Sequence, residues 1–359
     1  MRGGRVPVTV TRILYVGSLD PSGHCFQRLQ AFRRLGWEAD PFDTDPYVSA
    51  GGRLARGLRI RLLLGPTVER FNRDLLTAAQ GGRYDWIWFD KALFARTDTI
   101  EAIAKTGART VHFNPDNPFG SRGDPGWRLF LAAIPAYDVH VLPRQSNFAE
   151  YRNVGARDCI LMPFGYDPET HFPPSLDWRD SDRTIDVGFV GAPLDRRKEF
   201  FLTLHREHGI HFNLQGNQWE RVLTQGEYRD LQPDGPVYGA AYRETIWRTR
   251  ISVGLVSHGN KDEYTTRSFD IPACGGLLLA ERTSGHQAAY EEGAEAIFFA
   301  DPAECAEQIR RYLPRVEDRE RIAAAGCRRA VDSGYSNDGR IKRVIAELDR
   351  IARRTGSRS

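Results

Sequence analysis

The sequence predicts an α/β protein that contains two doubly wound parallel sheets. Short apolar runs alternate with helical patterns twice along the chain, and each run ends in a polar loop, as the strands of a parallel sheet do. A chain of 359 residues is also long for a single core. A stretch rich in proline, glycine and aromatic residues, 163–178, separates the two series, and we interpret it as an interdomain linker.

The first series begins with a strand over 12–16, followed by Gly17, a polar loop over 18–24 and a helix that runs to residue 35. A strand, loop and helix in this order typically start a parallel sheet. Four more apolar runs predict strands of the same sheet: Trp86–Phe89, Thr110–Phe113, Val139–Leu142 and Ile160–Met162. Because parallel strands end at one edge, we expect the loops after them to face a shared ligand.

The second series begins at residue 185 and predicts a second sheet. Its strands are expected at Ile185–Gly191, His211–Leu214, Ile251–Leu255, Gly276–Ala280 and Ala296–Phe299. After Tyr335 the pattern becomes an amphipathic helix over 339–353. We therefore predict domains over 1–165 and 166–335, followed by a terminal helical segment over 336–359.

The composition excludes several classes of protein. Hydrophobic residues make up 41% and charged residues 27%, which is typical of globular cores with a soluble surface. A net charge of +3 does not indicate the strongly basic surface that binds nucleic acid, so no nucleic-acid partner is expected. No apolar run approaches the roughly 20 residues of a membrane helix.

The cysteines indicate a reducing compartment. They are odd in number, scattered and never spaced as C-x-x-C, which argues against a disulfide framework and a zinc site: Cys25, Cys159, Cys274, Cys305 and Cys327. We therefore expect a cytoplasmic protein. The basic run 53–61 leaves open a weak peripheral contact with the inner membrane face, although a solvated helix is the commoner explanation for such a run.

The most informative segment is 262–301, where polar residues precede a small-residue helix and a buried strand. Tyr264, Thr265 and Thr266 stand where the helix should begin, with Thr265 or Thr266 as its N-cap. The free N–H groups and the positive dipole at a helix start favour a phosphate, and Arg267 adds a fixed cation. This pattern predicts a phosphate-ester site.

Two carboxylates accompany this helix. Asp262 precedes it, and Asp270 lies within it, eight positions later. One carboxylate is placed to reach a sugar while the other holds a ribose diol. The alternative is an ordinary helix–strand unit with solvated acids.

The run TTRSFDIPACGG and the later EEGAEAIFF resemble the CgeB-like, or group 1, glycosyltransferases. This resemblance implies the GT-B fold, in which two Rossmann-like domains face a cleft and a C-terminal helix crosses back to the first domain. It also implies that Asp262 and Asp270 stand where related retaining enzymes carry two glutamates, with Glu263 as an alternative first acid. Both positions carry aspartate in this chain, and its side chain is one methylene shorter than that of glutamate.

Other donor-side candidates follow strands of the second series. Gly191 permits a close approach of the backbone, and Arg196 or Arg197 is expected to clamp a diphosphate, although the sequence does not indicate which one points inward. Tyr238, together with the polar run 215–219, is a candidate wall for a nucleobase. The alternative for these residues is a solvated helix start and ordinary loop packing.

Acceptor-side candidates follow two strands of the first series. Gly17 and Ser18 begin one loop, and Asp116 and Asn117 lie in the other. Asp116 is a candidate general base for an inverting displacement, whereas in a retaining front-face reaction the departing phosphate accepts the proton. His24 is a second catalytic candidate. The alternative is that Asp116 and His24 only cap a turn and a helix.

We predict a metal-independent glycosyltransferase that is retaining rather than inverting and needs no cofactor. Two D-x-D runs, 43–45 and 180–182, are discounted as metal sites because neither follows a strong apolar strand. The donor is expected to be a UDP- or GDP-sugar, and the acceptor a glycan, a lipid-linked molecule or a small molecule. Two alternatives remain: a GT-B sugar-nucleotide epimerase, and a noncatalytic sugar-nucleotide-binding or surface-assembly protein.

Overall fold

The computed structural model describes residues 11–120 and 125–356, which form two compact units. The first unit comprises residues up to Pro163 together with those from Arg340 onward, and the second unit is Phe164–Gly339. The two boundaries predicted from the sequence, after 165 and 335, lie two and four residues from the observed ones.

The first unit contains a parallel sheet of six strands in the order β2-β1-β3-β4-β5-β6. The strands are β1 (Arg12–Gly17), β2 (Glu38–Asp43), β3 (Trp86–Asp90), β4 (Arg109–Phe113), β5 (Val139–Leu142) and β6 (Asp158–Leu161). The sequence predicted five of them. It missed β2 because this edge strand is largely exposed and reads EADPFD, with no apolar run.

Apolar side chains cover both faces of this sheet. Residues of a strand alternate between faces, so Ile13 and Tyr15 pack into one cluster while Leu14 and Val16 pack into the other. The helices that follow the strands are α1 (His24–Arg34), α2 (Asp45–Val48), α3 (Arg53–Leu62), α4 (Pro66–Gly81), α5 (Thr97–Ala104), α6 (Arg128–Ala133) and α7 (Asn147–Asn153).

The second unit contains a parallel sheet of five strands in the order β11-β10-β9-β7-β8. All five were predicted; the strands are β7 (Ile185–Val190), β8 (Asn213–Gln215), β9 (Thr249–Gly254), β10 (Leu278–Glu281) and β11 (Ile297–Phe299). Its helices are α8 (Arg197–Arg206), α9 (Trp219–Val222), α10 (Gln225–Leu231), α11 (Gly239–Arg248), α12 (Arg267–Ala273), α13 (Ser284–Ala289), α14 (Pro302–Tyr312) and α15 (Val316–Asp332).

The last helix, α16 (Asn337–Gly356), returns to the first unit as the family resemblance implied. Ile341, Val344 and Leu348 are buried in the same cluster as Ile13 and Tyr15. Their spacing places them on one face of the helix. No helix in the described part of the chain is long and apolar enough to cross a membrane.

The proline-rich stretch 163–178 is not a free linker, and that interpretation was wrong. From Phe164 onward it belongs to the second unit, where Asp167 and His171 are buried. The Asp167 N–H donates to His171 Nδ1 at 3.2 Å, and the Arg243 guanidinium carbon lies 4.2 Å from the centroid of the Phe172 ring. The prolines leave this stretch without the residue period of a helix or a strand, so its sequence resembles that of a linker. Its structure is instead held by tertiary contacts of its polar and aromatic side chains.

Candidate active site

The candidate donor residues lie at the carboxyl edge of the second sheet. β7 ends at Val190, β9 at Gly254 and β10 at Glu281. Because these strands are parallel neighbours, the loops after them lie side by side. This edge is therefore where a ligand of the second unit is expected.

Gly191 and Arg267 meet at this edge, and we call them, together with the start of α12, the donor corner. Arg267 Nε donates to the Val190 carbonyl, and its guanidinium carbon lies 5.8 Å from the centroid of the Phe189 ring. A Cβ atom at Gly191 would lie 3.0 Å from Arg267 Nη2, so a side chain at Gly191 would displace this cation. Gly191 thus leaves room for the Arg267 guanidinium, while its close approach to a donor diphosphate stays a prediction.

The start of α12 is held by a side chain from within the helix. Thr266 occupies the N-cap position, as predicted, but its side chain makes no capping hydrogen bond. Instead, the Thr265 N–H donates to Ser268 Oγ at 2.9 Å. The prediction that Thr265 or Thr266 occupies the N-cap position of α12 was right, whereas the expected hydrogen bond between its side chain and the helix was wrong.

A buried histidine supports this arrangement. His286 Nδ1 lies 2.7 Å from the Glu281 carbonyl and is therefore the donor, so Nε2 accepts from the Ser268 hydroxyl at 2.7 Å. Burial lowers the pKa of His286 to about 4, which keeps the ring neutral at pH 7. This chain of hydrogen bonds, from the Glu281 carbonyl through His286 and Ser268 to the Thr265 N–H, holds the loop before α12 in place.

α13 also packs directly beneath that loop. A Cβ atom at Gly285 would lie 2.6 Å from Glu263 Cβ and 2.7 Å from Tyr264 Cδ1, so only glycine fits without a shift. Sequence reasoning missed Gly285 and His286. The available signal was a Thr-Ser-Gly-His run directly after an apolar strand.

Of the two adjacent arginines, Arg197 points inward. Its side chain donates to the carbonyls of Ala192, Leu255 and Val256 at 3.0, 3.1 and 3.2 Å, respectively. Burial, with the nearby charge of Arg267 as a second cause, lowers the pKa of Arg197 to about 10. Arg197 therefore braces the loops after β7 and β9, whereas Arg196 is exposed.

The two predicted acids have different environments. Asp262 is half-buried in the loop before α12, and its N–H donates to the Ser257 carbonyl at 3.0 Å. Asp270 is 1% exposed, and its Oδ1 lies 3.6 Å from His171 Nδ1. Burial raises the pKa of Asp270 well above its ordinary value, against the opposing charge of Arg267. The ribose contact of Asp270 stays a prediction, and the burial of its carboxyl group counts against it.

The candidate base wall lies near the same edge. The Tyr238 side chain is 54% exposed, and Asn217 Nδ2 donates to its hydroxyl at 2.6 Å. Gly216 has φ +155°, and a Cβ atom there would lie 2.1 Å from the Gly191 carbonyl oxygen. The loop that carries Asn217 therefore touches the donor corner through backbone contact.

A cavity of about 370 Å³ opens between α8 and the turn from β11 to α14, and we call it the side cavity. In its wall, His258 Nε2 lies 2.7 Å from Glu281 Oε2, while Glu281 Oε1 accepts from the Val256 N–H at 2.8 Å. The sequence analysis missed His258 and Glu281. Glu281 is the last residue of β10 and His258 lies four residues after the end of β9, so the signal that could have found them is a polar residue at the carboxyl end of an apolar strand.

The first unit places Asp116 at the carboxyl edge of its own sheet. Its carboxylate forms an ion pair with Lys91, which directly follows β3. Asn117 is 5% exposed, and its Oδ1 accepts from the Phe119 N–H and from Asn147 Nδ2, both at 3.0 Å. Asp116 thus stays a catalytic candidate with a neighbouring cation, whereas Asn117 holds its own loop in shape.

The loop after β1 is also fastened internally. Ser18 Oγ donates to Asp45 Oδ2 at 2.8 Å, and a Cβ atom at Gly17 would lie 3.1 Å from Asp90 Cβ. His24 is exposed, and its Nδ1 lies 3.2 Å from Gln27 Oε1. His24 is the first residue of α1, with Gly23 at the N-cap position.

Both D-x-D runs take part in structural bonds. The first begins at the last residue of β2, a largely exposed strand without an apolar run, and Asp43 Oδ1 accepts from the Leu19 N–H at 3.2 Å. In the second, both carboxylate oxygens of Asp180 lie 2.7 Å from Arg319 Nη2. Within the described residues, no group of three or more His, Cys, Asp or Glu is arranged to hold a metal ion.

Comparisons with known proteins agree with this architecture. Residues 196–346 match the family model described as "Glycosyl transferase-like". A search of curated proteins finds no match. Anabaena HepE in complex with UDP-glucose superposes with a TM-score of 0.65 at 12% identity, covering 94% of this chain and 99% of HepE.

Two further solved structures have the same fold. Sucrose-phosphate synthase from Thermosynechococcus elongatus gives a TM-score of 0.66 at 14% identity, covering 97% of this chain and 100% of that one. AviGT4, a glycosyltransferase involved in avilamycin A biosynthesis, gives 0.61 at 12% identity, with coverages of 95% and 98%.

These likenesses define the class: the chain has the GT-B fold of nucleotide-sugar glycosyltransferases. The family match lies mainly in the second unit and includes Arg267 and the start of α12. The predicted GT-B fold is confirmed, and the match over residues 196–346 agrees with the predicted resemblance to glycosyltransferases.

Proposed function

We propose that this protein transfers a sugar from a nucleotide diphosphate sugar to an acceptor without a metal ion, and that UDP-sugars are the first donors to test. The observation that carries the proposal is that Arg267 and the start of α12 lie inside the segment that matches the glycosyl transferase-like family model, residues 196–346. The HepE structures in complex with UDP and UDP-glucose support the choice of base.

In this proposal Arg267 neutralises the charge that develops on the leaving diphosphate. Its guanidinium is half-buried and held by the Val190 carbonyl, so it needs little reorganisation during the reaction. The Thr265 and Thr266 backbone at the start of α12 would contact the phosphates or the sugar. These groups replace the charge that a divalent ion supplies in metal-dependent enzymes.

We propose a retaining outcome. Asp262 is then the carboxylate nearest to the donor sugar, because it lies in the loop before α12. In a front-face displacement, the departing phosphate accepts the proton of the acceptor hydroxyl, so no separate base is required. An inverting reaction would instead need a base such as Asp116.

Thermal-shift and calorimetric titrations test this proposal directly. The purified protein is titrated with UDP, GDP, TDP, CDP and ADP and with their sugar forms, in the presence and absence of a chelator. We expect one nucleoside diphosphate to stabilise the protein equally in both conditions, since ligand binding to the native state raises its stability. A stabilisation that disappears with the chelator would contradict metal independence.

The alternatives predict different products. An epimerase converts the sugar nucleotide without an acceptor, whereas a noncatalytic binding protein is stabilised by a nucleotide but converts no donor. Chromatography of each UDP-sugar after incubation without and with an acceptor mixture separates the three cases. Transfer that requires an acceptor would support our proposal.

We also propose a cytoplasmic protein with, at most, weak peripheral membrane contact. All five cysteines are free thiols, which supports a reducing compartment. Near the end of α3, Leu58, Leu62 and Leu64 have exposed fractions of 59, 45 and 59%, which supports a small apolar contact surface. Co-sedimentation with vesicles that contain anionic lipid tests this contact.

A further inference from the structure

We propose that the side cavity binds a neutral, hydroxyl-rich group, namely a sugar ring of the acceptor. This inference rests on the proposed glycosyltransferase function and extends it to a substrate class and a place. The cavity lies beside the donor corner in the second unit, and its chemistry differs from that of a phosphate site.

The side cavity is separate from the donor corner. Arg267, Gly191 and Tyr238 do not line it. Arg197 lines the side cavity, and its hydrogen bonds to carbonyls of the loops after β7 and β9 hold it in place. A nucleotide at the donor corner would therefore leave the side cavity available.

The size and the apolar wall of the cavity suit a sugar ring. Its volume of about 370 Å³ lies within the range of roughly 300–1,000 Å³ that is usual for small-molecule sites. The half-buried Phe200 ring forms part of the wall and lies 5.5 Å from the Phe299 ring at an angle of 27°. An aromatic wall of this kind provides an apolar surface for the C–H face of a pyranose.

The polar residues of the cavity favour hydroxyl donors. Carboxylates outnumber arginines in its lining, since Asp195, Glu199, Glu281 and Asp301 stand against Arg196 and Arg197. The Arg197 guanidinium already donates to backbone carbonyls, and His258 is paired with Glu281. Ionised carboxylates only accept hydrogen bonds, so they bind hydroxyl groups and repel a phosphate.

The position of the cavity also fits the proposed reaction. In a retaining front-face displacement, the acceptor hydroxyl approaches the sugar from the side of the leaving diphosphate. The guanidinium carbons of Arg197 and Arg267 lie 5.5 and 5.8 Å from the centroid of the same Phe189 ring, and Arg197 also lines the side cavity. A sugar ring in the cavity would thus lie next to the phosphate side of the donor corner.

Three variants of the full chain test this assignment. Thr203→Trp places a large ring in the cavity, and Glu199→Gln removes one carboxylate while it keeps the shape of the side chain. Glu207→Trp is the matched control, because Glu207 is exposed at the end of the same helix and outside the cavity lining. Saturation-transfer NMR measures binding of the methyl glycosides of glucose, galactose, mannose and N-acetylglucosamine, with glucose 6-phosphate as the charged probe.

We expect the wild type and Glu207→Trp to bind at least one methyl glycoside saturably and more tightly than glucose 6-phosphate. Thr203→Trp should abolish this binding. Glu199→Gln should weaken it about tenfold, which corresponds to about 1.4 kcal/mol. Stabilisation by UDP should be unchanged in all three variants.

Binding of none of the glycosides by the wild type, or tighter binding of glucose 6-phosphate, would overturn the proposal. Equal binding by wild type, Thr203→Trp and Glu199→Gln would overturn it as well, because the sugar would then occupy another surface. A wild type that UDP does not stabilise would contradict the proposed function instead, while the glycoside titrations would still decide the role of the cavity.

Discussion

Substitution of Gly285 tests whether α13 positions the loop before α12. In Gly285→Ala the new Cβ atom would lie 2.6 Å from Glu263 Cβ, whereas nonbonded carbon atoms prefer about 3.5–4.0 Å. The loop before α12 must therefore move by about 1 Å, a displacement that is enough to reduce turnover about 10²-fold. Overpacking should also lower the free energy of unfolding by about 1–3 kcal/mol.

The assay compares the release of UDP from a UDP-sugar with the free energy of unfolding in urea. Gly226→Ala is the matched control, because Gly226 lies in α10 with no atom within 4 Å of the Cβ position. We expect the control to keep full turnover. If Gly285→Ala also turns over at the wild-type rate while folded, the loop before α12 does not position the donor.

Three further predictions concern the donor corner and its support. Arg267→Ala should lower turnover by about 10²–10³-fold, with Arg267→Lys in between; an unchanged rate would reject the role of this cation. Tyr238→Ala should weaken UDP binding, measured by calorimetry, by about 1–3 kcal/mol if the Tyr238 ring stacks on the base. The control Tyr228→Ala removes a 44% exposed ring from α10 and should leave UDP binding unchanged. The pKa of His286 falls from 6.5 to about 4 on folding, so its neutral form stabilises the protein above pH 6.5 and this stability is lost as the pH falls. In urea titrations from pH 6.5 to 4, the wild type should lose about 3 kcal/mol more stability than His286→Gln, and equal losses would contradict the burial argument.

Much of the fold was accessible from the sequence because the buried strands carry their own signal. The strand β5 was predicted with its observed bounds, since four consecutive apolar or aromatic residues in a parallel sheet are buried on both faces. The edge strand β2 was missed for the opposite reason: its exposed residues have no apolar pattern. The stretch after Pro163 was misread because its buried residues are fixed by contacts with distant segments such as α11.

The sequence predicted a donor region at the start of α12 and at Arg267, because N-cap residues, a cation and terminal glycines follow one another along the chain. It did not choose between Arg196 and Arg197. That choice depends on which side chain reaches the carbonyls after β9, about sixty residues later, and only the packed sheet brings these groups together.

The sequence by itself therefore determined the fold class, the order of most elements and the segment that carries the candidate donor site, because these depend on local patterns of apolar and polar residues. Only the tertiary structure decided which side chains face a ligand. It buried Asp270, joined His286 to Thr265 through Ser268, and built the side cavity from residues that lie far apart in the chain. The physical reason is that hydrogen bonds and cavities depend on distances between folded segments, which no local pattern records.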